Sequence, residues 1–248
     1  MSKTPQNQSA SQVPGNFERP LTTVDVVIFA VLDDQLHVLL VKRNRDTGEP
    51  FPNRWALPGG FVDIEVDATL EACALRKLKE KTGVVSPYLE QLGSWGGKSR
   101  DARGWSATHA YFALIAIDAG IKPVSGANAV DAQWMPIAGS GVREPLAFDH
   151  KDILAAAVER LRGKVEYTSL PAFLLPKEFT LSELQRAYEI VLDRKLEKSA
   201  FRTRVLATDL VVEVPRFREG ANRPAQLYKL RSQVKPVYFQ RTFKPAGE

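Results

Sequence analysis

Lys77, Glu80 and Lys81 stand three and four residues apart within LRKLKEKTG, so on a helix they share one face. Three carboxylates at this spacing would offer the hard oxygen ligands that Mg2+ requires. Here one carboxylate stands among two ammonium groups. Two unit charges about 4 Å apart repel by roughly 4 kcal/mol at an effective dielectric of about 20, so a dication beside such a pair is disfavoured. The face suits a polyanion better than a metal. Glu65, Asp67 and Glu71 are the further carboxylates in reach by sequence that could rescue a metal site. The plainest alternative is that both lysines are merely solvated on a packing helix.

The element that must carry this face is a helix over about Thr69–Lys81, capped by Thr69 and stopped by Gly83. It follows LPGGF. Upstream, VDVVIFAVLD and QLHVLLVKR are β-branched apolar runs separated by the turn Asp33-Asp34 and read as paired strands. Asn44 to Pro52 is a polar loop. YLEQLGSWG, WSATHAYFALIAID and AQWMPI are further strands, and Asp152–Arg162 is a final helix. This order is an α+β pattern.

A loop-rich join, VEYTSLPAFLLPKEF, leads to a second unit. Thr180-Leu-Ser-Glu183 is a capping box that starts LSELQRAYEIVL, with Leu181, Leu184, Tyr188, Val191 and Leu192 on its apolar side. After the turn DRKLEK, Ser199 begins a second helix. There Phe201, Val205 and Leu206 face inward while Arg202 and Arg204 point away. LVVEV and AQLYKL flank PRFREGANRP, a loop holding Arg216, Arg218 and Arg223. Helix, turn, helix and basic hairpin is the layout of a winged helix, which sets its second helix in the major groove of DNA and its hairpin against the backbone.

Charge supports an anionic partner for this second unit. Residues 1–165 hold 19 Lys/Arg and 19 Asp/Glu, while residues 166–248 hold 15 and 10, so the net +5 lies in the C-terminal third. From Lys198 to Lys244 the count is 11 against 3. The single cysteine, Cys73, excludes an internal disulfide framework and suits a reducing cytosol. No apolar run approaches the length of a membrane span. The opening MSKTPQNQSASQVPGNFERP has no apolar core, so it reads as a disordered arm rather than a signal peptide.

Aligned on its second half, the 57–84 segment resembles the Nudix signature G-x5-E-x7-R-E-U-x-E-E-x-G-U, where U is aliphatic. Arg76, Leu78, Glu80, Gly83 and Val84 match it. Lys77 and Lys81 occupy glutamate positions, and the Gly60-to-Arg76 stretch is two residues longer than the pattern. A Nudix domain joined to a C-terminal winged helix resembles the NrtR-type Nudix-related transcriptional regulators. LPGGFVD, LRKLKEKTGV, SRDARGWSATHAYFAL and PLAFDHKDIL carry that likeness, with FRTRV and RPAQLYKL resembling the recognition helix and wing.

The resemblance implies a Nudix α/β/α sandwich with a mixed sheet over 21–163, after an arm at 1–20, and a winged helix-turn-helix domain over 164–248. It implies a homodimeric repressor of NAD-metabolism genes in the bacterial cytosol, without a membrane partner. Such a protein binds ADP-ribose or a related metabolite, does not cleave it, and releases double-stranded operator DNA. NAD and phosphoribosyl metabolites offer similar anionic handles. The effector site would comprise Arg54, Gly59, Gly60, Lys77, Glu80, Lys81, Arg100, Arg103, Trp105 and His150. The arginines are suited to bidentate phosphate contact, and Trp105 could stack on adenine. The DNA surface would comprise Lys198, Ser199, Arg202, Thr203, Arg204, Arg216, Arg218 and Arg223. No catalytic residue, metal ligand or required cofactor is expected. The alternative is an active ADP-ribose pyrophosphatase, which would need Mg2+. A ligand signal would reach DNA through a hinge at Gly163–Lys177, where two prolines and no periodicity suggest few stabilising contacts.

Overall fold

Val24, Val26, Ile28 and Ala30 alternate with Val27 and Phe29 along β1 (Leu21–Leu32), and all are fully buried. A strand buried on both faces explains the unbroken apolar run. The even-numbered set packs on α1 (Leu70–Thr82) through Cys73, Ala74 and Leu78. The odd-numbered set joins Ile153, Leu154 and Leu161 of α2 (His150–Val165) on the opposite face. The computed structural model describes residues 19–45, 48–83, 88–117, 129–208, 210–219, 224–232 and 235–239. Most of the expected N-terminal arm lies outside the described residues, as do Val84 of the signature and Arg223 of the wing.

Around β1 are β2 (Gln35–Arg43), β3 (Trp55–Ala56), β4 (Gly59–Phe61), β5 (Tyr88–Asp101), β6 (Gly104–Leu114) and β7 (Ala129–Pro136). They form a mixed sheet in the order β3-β2-β1-β6-β5, with β4 also on β1 and β7 on β2. β1 runs parallel to β6 and antiparallel to β2. Asp33 and Asp34 turn β1 into β2 with φ of 45° and 60°, a left-handed turn that short polar side chains tolerate.

The second unit holds β8 (Phe179–Thr180), α3 (Leu181–Leu192), α4 (Lys198–Leu206), β9 (Val211–Arg218) and β10 (Ala225–Leu230). Its sheet order is β8-β10-β9. Thr180 and Glu183 form the complete reciprocal capping box, and Leu184 and Val191 of α3 are fully buried. α4 begins one residue before Ser199. Its cap is Glu197, whose carboxylate accepts from the amides of Ser199 and Ala200 at 2.9 and 2.5 Å. Leu206 is exposed rather than inward, because the short α4 buries only Phe201 and Val205.

The join where the hinge is expected is well packed. α2 continues through Gly163 to Val165, since Leu161 and Val165 keep one apolar face in the core. A boundary at 163 would cut this helix. Beyond it, Leu170, Ala172 and Leu174 of a 3-10 turn are buried in a core that both units share. The Tyr188 hydroxyl donates to the Thr168 carbonyl at 2.8 Å, and Arg162 Nε donates to the Val191 carbonyl at 3.1 Å. The chain returns here as well: Ser169 and Val237 exchange two hydrogen bonds, and the Phe239 amide donates to Tyr167 at 2.7 Å. Proline removed the periodicity of the join without removing its packing. Among the described residues no helix is long and apolar enough to cross a membrane.

Candidate functional site

A cavity of about 540 Å³ opens between β1, the β4–α1 loop, α1 and the N-terminus of α2. Of the expected effector residues, Gly59, Gly60, Lys77, Lys81, Arg100, Arg103 and His150 line it. Glu80 stands beside it, in ion pairs with Arg76 at 3.1 Å and Lys77 at 3.6 Å. Arg54 is exposed at the start of the β3 turn and does not line the cavity. Trp105 is half exposed and lies over Gly96 across the hairpin, also outside the lining. Both placements have one cause: sequence proximity to lining residues does not fix the direction of a side chain in a turn or at a strand end.

The glycines make the cavity. A Cβ on Gly59 would stand 2.1 Å from Asp25 Oδ1, so no larger residue fits. Gly60 has φ of +152°, and a Cβ there would lie 3.2 Å from Lys77 Nζ. The Lys77 ammonium therefore hangs over the Gly60 backbone at the cavity wall. Lys81 is almost fully buried, and burial, reinforced by the Lys77 charge, holds its ammonium pKa below the ordinary lysine value despite Glu80.

The arginines divide into used and available. Arg100, its side chain 5% exposed, donates from Nε to both Asp149 oxygens at 2.9 and 3.0 Å, and from Nη2 to Asp25 at 3.0 Å. Arg100 is thereby held at the cavity wall by two carboxylates. His150 is held in the same way. Its Nδ1 accepts the Leu57 amide at 2.9 Å, so Nε2 carries the proton and lies 3.4 Å from Asp25. Burial raises the Asp25 pKa, but His150 and Arg100 outweigh it and hold the carboxyl below its ordinary value. Arg103 pairs with Asp101 and lies over the Phe61 ring at 5.1 Å, yet a third of its side chain is open.

Sequence reasoning missed Asp25, Arg43 and Phe148. Asp25, a lone carboxylate in an apolar strand, was the legible signal. Phe148 carries φ of 52°, and its ring has the Arg43 guanidinium at 5.0 Å, the Arg100 guanidinium at 5.4 Å and the Phe51 ring at 4.7 Å. A bulky residue held in the left-handed region at a cavity wall marks a place where packing over-determines the backbone.

A divalent cation does not fit this donor set. Asp67 is taken by Arg76, which donates from Nε at 2.8 Å and Nη2 at 2.5 Å and holds the carboxyl well below its ordinary value. Glu65 and Glu71 are exposed on the loop and the first helical turn. Among the described residues no three His, Cys, Asp or Glu side chains converge to hold a metal. The Cys73 thiol, pushed up to about 11 by burial and Asp67, is not a reactive thiolate.

The second candidate surface is the winged helix. Lys198, Ser199, Arg202 and Thr203 are exposed on one side of α4, opposite Phe201 and Val205. Arg204 departs from expectation. Its Nη2 donates to the Glu166 carbonyl at 2.8 Å and its guanidinium lies over Phe239 at 5.3 Å. It points back to the join, because a residue three after Phe201 shares part of the buried side. Arg216 and Arg218 are exposed but paired with Glu178 and Glu183. To reach a phosphate each must exchange a carboxylate partner.

Residues 21–157 match the NUDIX domain model and residues 171–230 match that of the NrtR DNA-binding winged helix domain. The ADPR responsive transcriptional repressor NtrR of Acinetobacter baylyi is 46% identical over 226 residues, covering 91% of this chain and 88% of the relative. The crystal structure of Shewanella oneidensis NrtR complexed with a 27mer DNA superposes with a TM-score of 0.79 at 43% identity, covering 89% of this chain and 98% of that one. The NUDIX domain of the same Shewanella protein complexed with ADP ribose matches at 47% identity and a TM-score of 0.54, covering 61% of this chain and 95% of that one. The chain belongs to the Nudix family and, within it, to the NrtR regulators that join a Nudix domain to a DNA-binding winged helix.

Proposed function

We propose that this protein is an ADP-ribose-responsive transcriptional repressor of NAD-metabolism genes whose Nudix domain binds its ligand without hydrolysing it. The observation that carries the reading is the cationic wall of the cavity, Lys77 and Lys81, at the positions where the signature has glutamates. It is supported by the names and bound partners of the Acinetobacter and Shewanella relatives. The cavity receives the diphosphate against Lys77, Lys81 and Arg103. Arg100 and His150 hold the wall through Asp25, while Gly59 and Gly60 leave room for the ligand.

The exposed side of α4, with Lys198, Ser199, Arg202 and Thr203, enters the major groove. A homodimer reads a near-palindrome whose half-sites lie roughly 10 base pairs, or a multiple, apart. Ligand then shifts the geometry of the two units. Because they share a core, that shift is a small rigid repacking at the 166–169 join, where Arg204 touches Glu166, and not the swing of a loose linker.

Phosphate release from ADP-ribose with Mg2+, measured after coupled phosphatase treatment, separates this reading from an active pyrophosphatase. We expect no turnover above background. Robust hydrolysis abolished by Glu80→Gln would establish the enzyme instead.

The repressor reading is tested by linkage. If ADP-ribose weakens operator binding, saturating operator must weaken ADP-ribose binding by the same factor, on the order of 5- to 150-fold for typical coupling. Calorimetry with and without operator measures it. Equal ligand affinities would show that the Nudix cavity is not the sensor.

A further inference from the structure

Among the described residues, α2 is the one α-helix whose N-terminus has no side-chain cap. Thr69, Thr180 and Glu197 cap α1, α3 and α4, each from an extended backbone with ψ of 164°, 159° and 127°. Asp149 holds the corresponding position of α2 with ψ of 18°. Aspartate is among the best N-capping residues, so its failure to cap needs a cause. The cause is Arg100, whose Nε donates to both Asp149 carboxylate oxygens at 2.9 and 3.0 Å. Arg100 lines the effector cavity. So does Phe148, which precedes Asp149 and sits in the left-handed region at φ of 52°. One carboxylate thus has two competing partners. One is a guanidinium on the cavity wall. The other is the free amides in the first turn of α2, where the helix dipole also favours a negative charge.

We propose that Asp149 is the switch through which the cavity signals to the winged helix. The inference rests on the ADP-ribose-responsive reading and names the regulation of that site. A diphosphate in the cavity competes with Asp149 for Arg100, whose planar fork suits phosphate oxygens. The released carboxylate rotates onto the amides of α2. The Asp149 backbone then moves toward the extended conformation of the other three caps, which re-aims the start of α2. The helix has 16 residues and is stiff over about 24 Å, so the displacement reaches its far end. There Arg162 Nε donates to the Val191 carbonyl at 3.1 Å, and its Nη2 lies 4.0 Å from Asp193 at the C-terminus of α3. Leu161 and Val165 of α2 share a core with Leu184 and Val191 of α3. α3 therefore follows α2 and carries α4 with it through the Tyr188–Phe201 ring contact at 5.2 Å. Operator binds best when Asp149 holds Arg100, and ligand binds best when Asp149 caps α2. Each therefore weakens the other.

Asn and Ala at position 149 separate the two partners. Asn caps a helix about as well as Asp but offers Arg100 no charge, whereas Ala does neither. Full-length wild type, Asp149→Asn, Asp149→Ala and Arg162→Ala are titrated with a duplex that the wild type selects from a random library, with and without ADP-ribose. In the wild type, ligand should weaken operator binding by a factor on the order of 5- to 150-fold. Asp149→Asn should show that weakened affinity before any ligand is added, and should respond little to ligand. Asp149→Ala leaves α2 uncapped, so it should bind operator like ligand-free wild type and should not respond to ligand. Both should still bind ADP-ribose, since no carboxylate at 149 then competes for Arg100. Arg162→Ala should keep both single affinities and lose the coupling. Hydrogen exchange gives a readout without DNA: ADP-ribose should slow the first-turn amides of α2 in the wild type but not in Asp149→Ala. A wild-type coupling factor in Asp149→Ala overturns the switch, as does equal operator affinity of the Asn and Ala variants. If the wild type selects no duplex or shows no coupling, the repressor reading itself fails.

Discussion

Reversing both lysines of the cavity wall, Lys77→Glu with Lys81→Glu, should weaken ADP-ribose binding in EDTA by roughly 100-fold or more. A charge-assisted hydrogen bond contributes about 1.5–3 kcal/mol, and two such contacts are lost and replaced by repulsion. The same variant should acquire a Mg2+ dependence that the wild type lacks, because Glu80 would then stand among carboxylates able to share a dication. Titration calorimetry of both proteins with EDTA and with Mg2+ decides the matter. Wild-type binding that requires Mg2+, or unchanged affinity in the double reversal, would refute the idea that ammonium groups replace the metal. Lys81 adds a pH signature. Its folded pKa lies below the ordinary value of 10.5, so its charge disappears earlier than a surface lysine's as pH rises. Affinity for the diphosphate should decline over that alkaline window. The ligand-free protein should gain stability there, since the folded state binds fewer protons than the unfolded one.

Arg100→Ala should destabilise the fold by about 3–5 kcal/mol, the usual consequence of leaving one member of a buried ion pair without its partner. Asp25 and Asp149 both lose their cation, and Asp25 is buried with His150 as its remaining neighbour. Urea midpoints measure the loss, and pH checks its cause. In the wild type the Asp25 pKa is lowered from 3.8, so its stabilising effect is present above pH 3.8 and is lost as pH falls through the lower folded value. Burial is the largest influence on Asp25 and raises it; losing Arg100 removes one of the influences that oppose burial and moves the carboxyl back up from its lowered value. Asp25 then stabilises the variant less at neutral pH, and the variant's deficit should shrink as acid protonates Asp25. A deficit below about 1 kcal/mol, or one independent of pH between about 3 and 7, would mean that this network is not what holds the cavity wall.

Much of the molecule could be read from local chemistry alone. The turn at Asp33-Asp34, the Thr69 cap and Gly83 stop of α1, and the capping box of α3 all involve residues within a few positions of one another. The spacing of Lys77, Glu80 and Lys81 put them on one helix face for the same reason, and the alternation in β1 announced a strand covered on both sides. What could not be read was where long, flexible cations point. Arg100, Arg204, Arg216 and Arg218 resemble one another in sequence. They differ in the structure because carboxylates or carbonyls tens of residues away claim three of them fully or in part, and a backbone carbonyl of the join claims the fourth.

The sequence by itself determined the element order, the winged-helix layout and the chemistry of the cavity wall, since each follows from short-range periodicity, capping or charge. Only the tertiary structure decided that two carboxylates hold Arg100 at the cavity wall and that His150 serves the Leu57 amide. It alone decided that the two units share one core across the 165–174 join. These outcomes depend on pairings such as Asp25 with Arg100, 75 residues apart, and Tyr188 with Thr168 across a proline-interrupted segment. A buried polar group must find a partner wherever the packed chain supplies one, and that choice is made by the whole fold rather than by any local pattern.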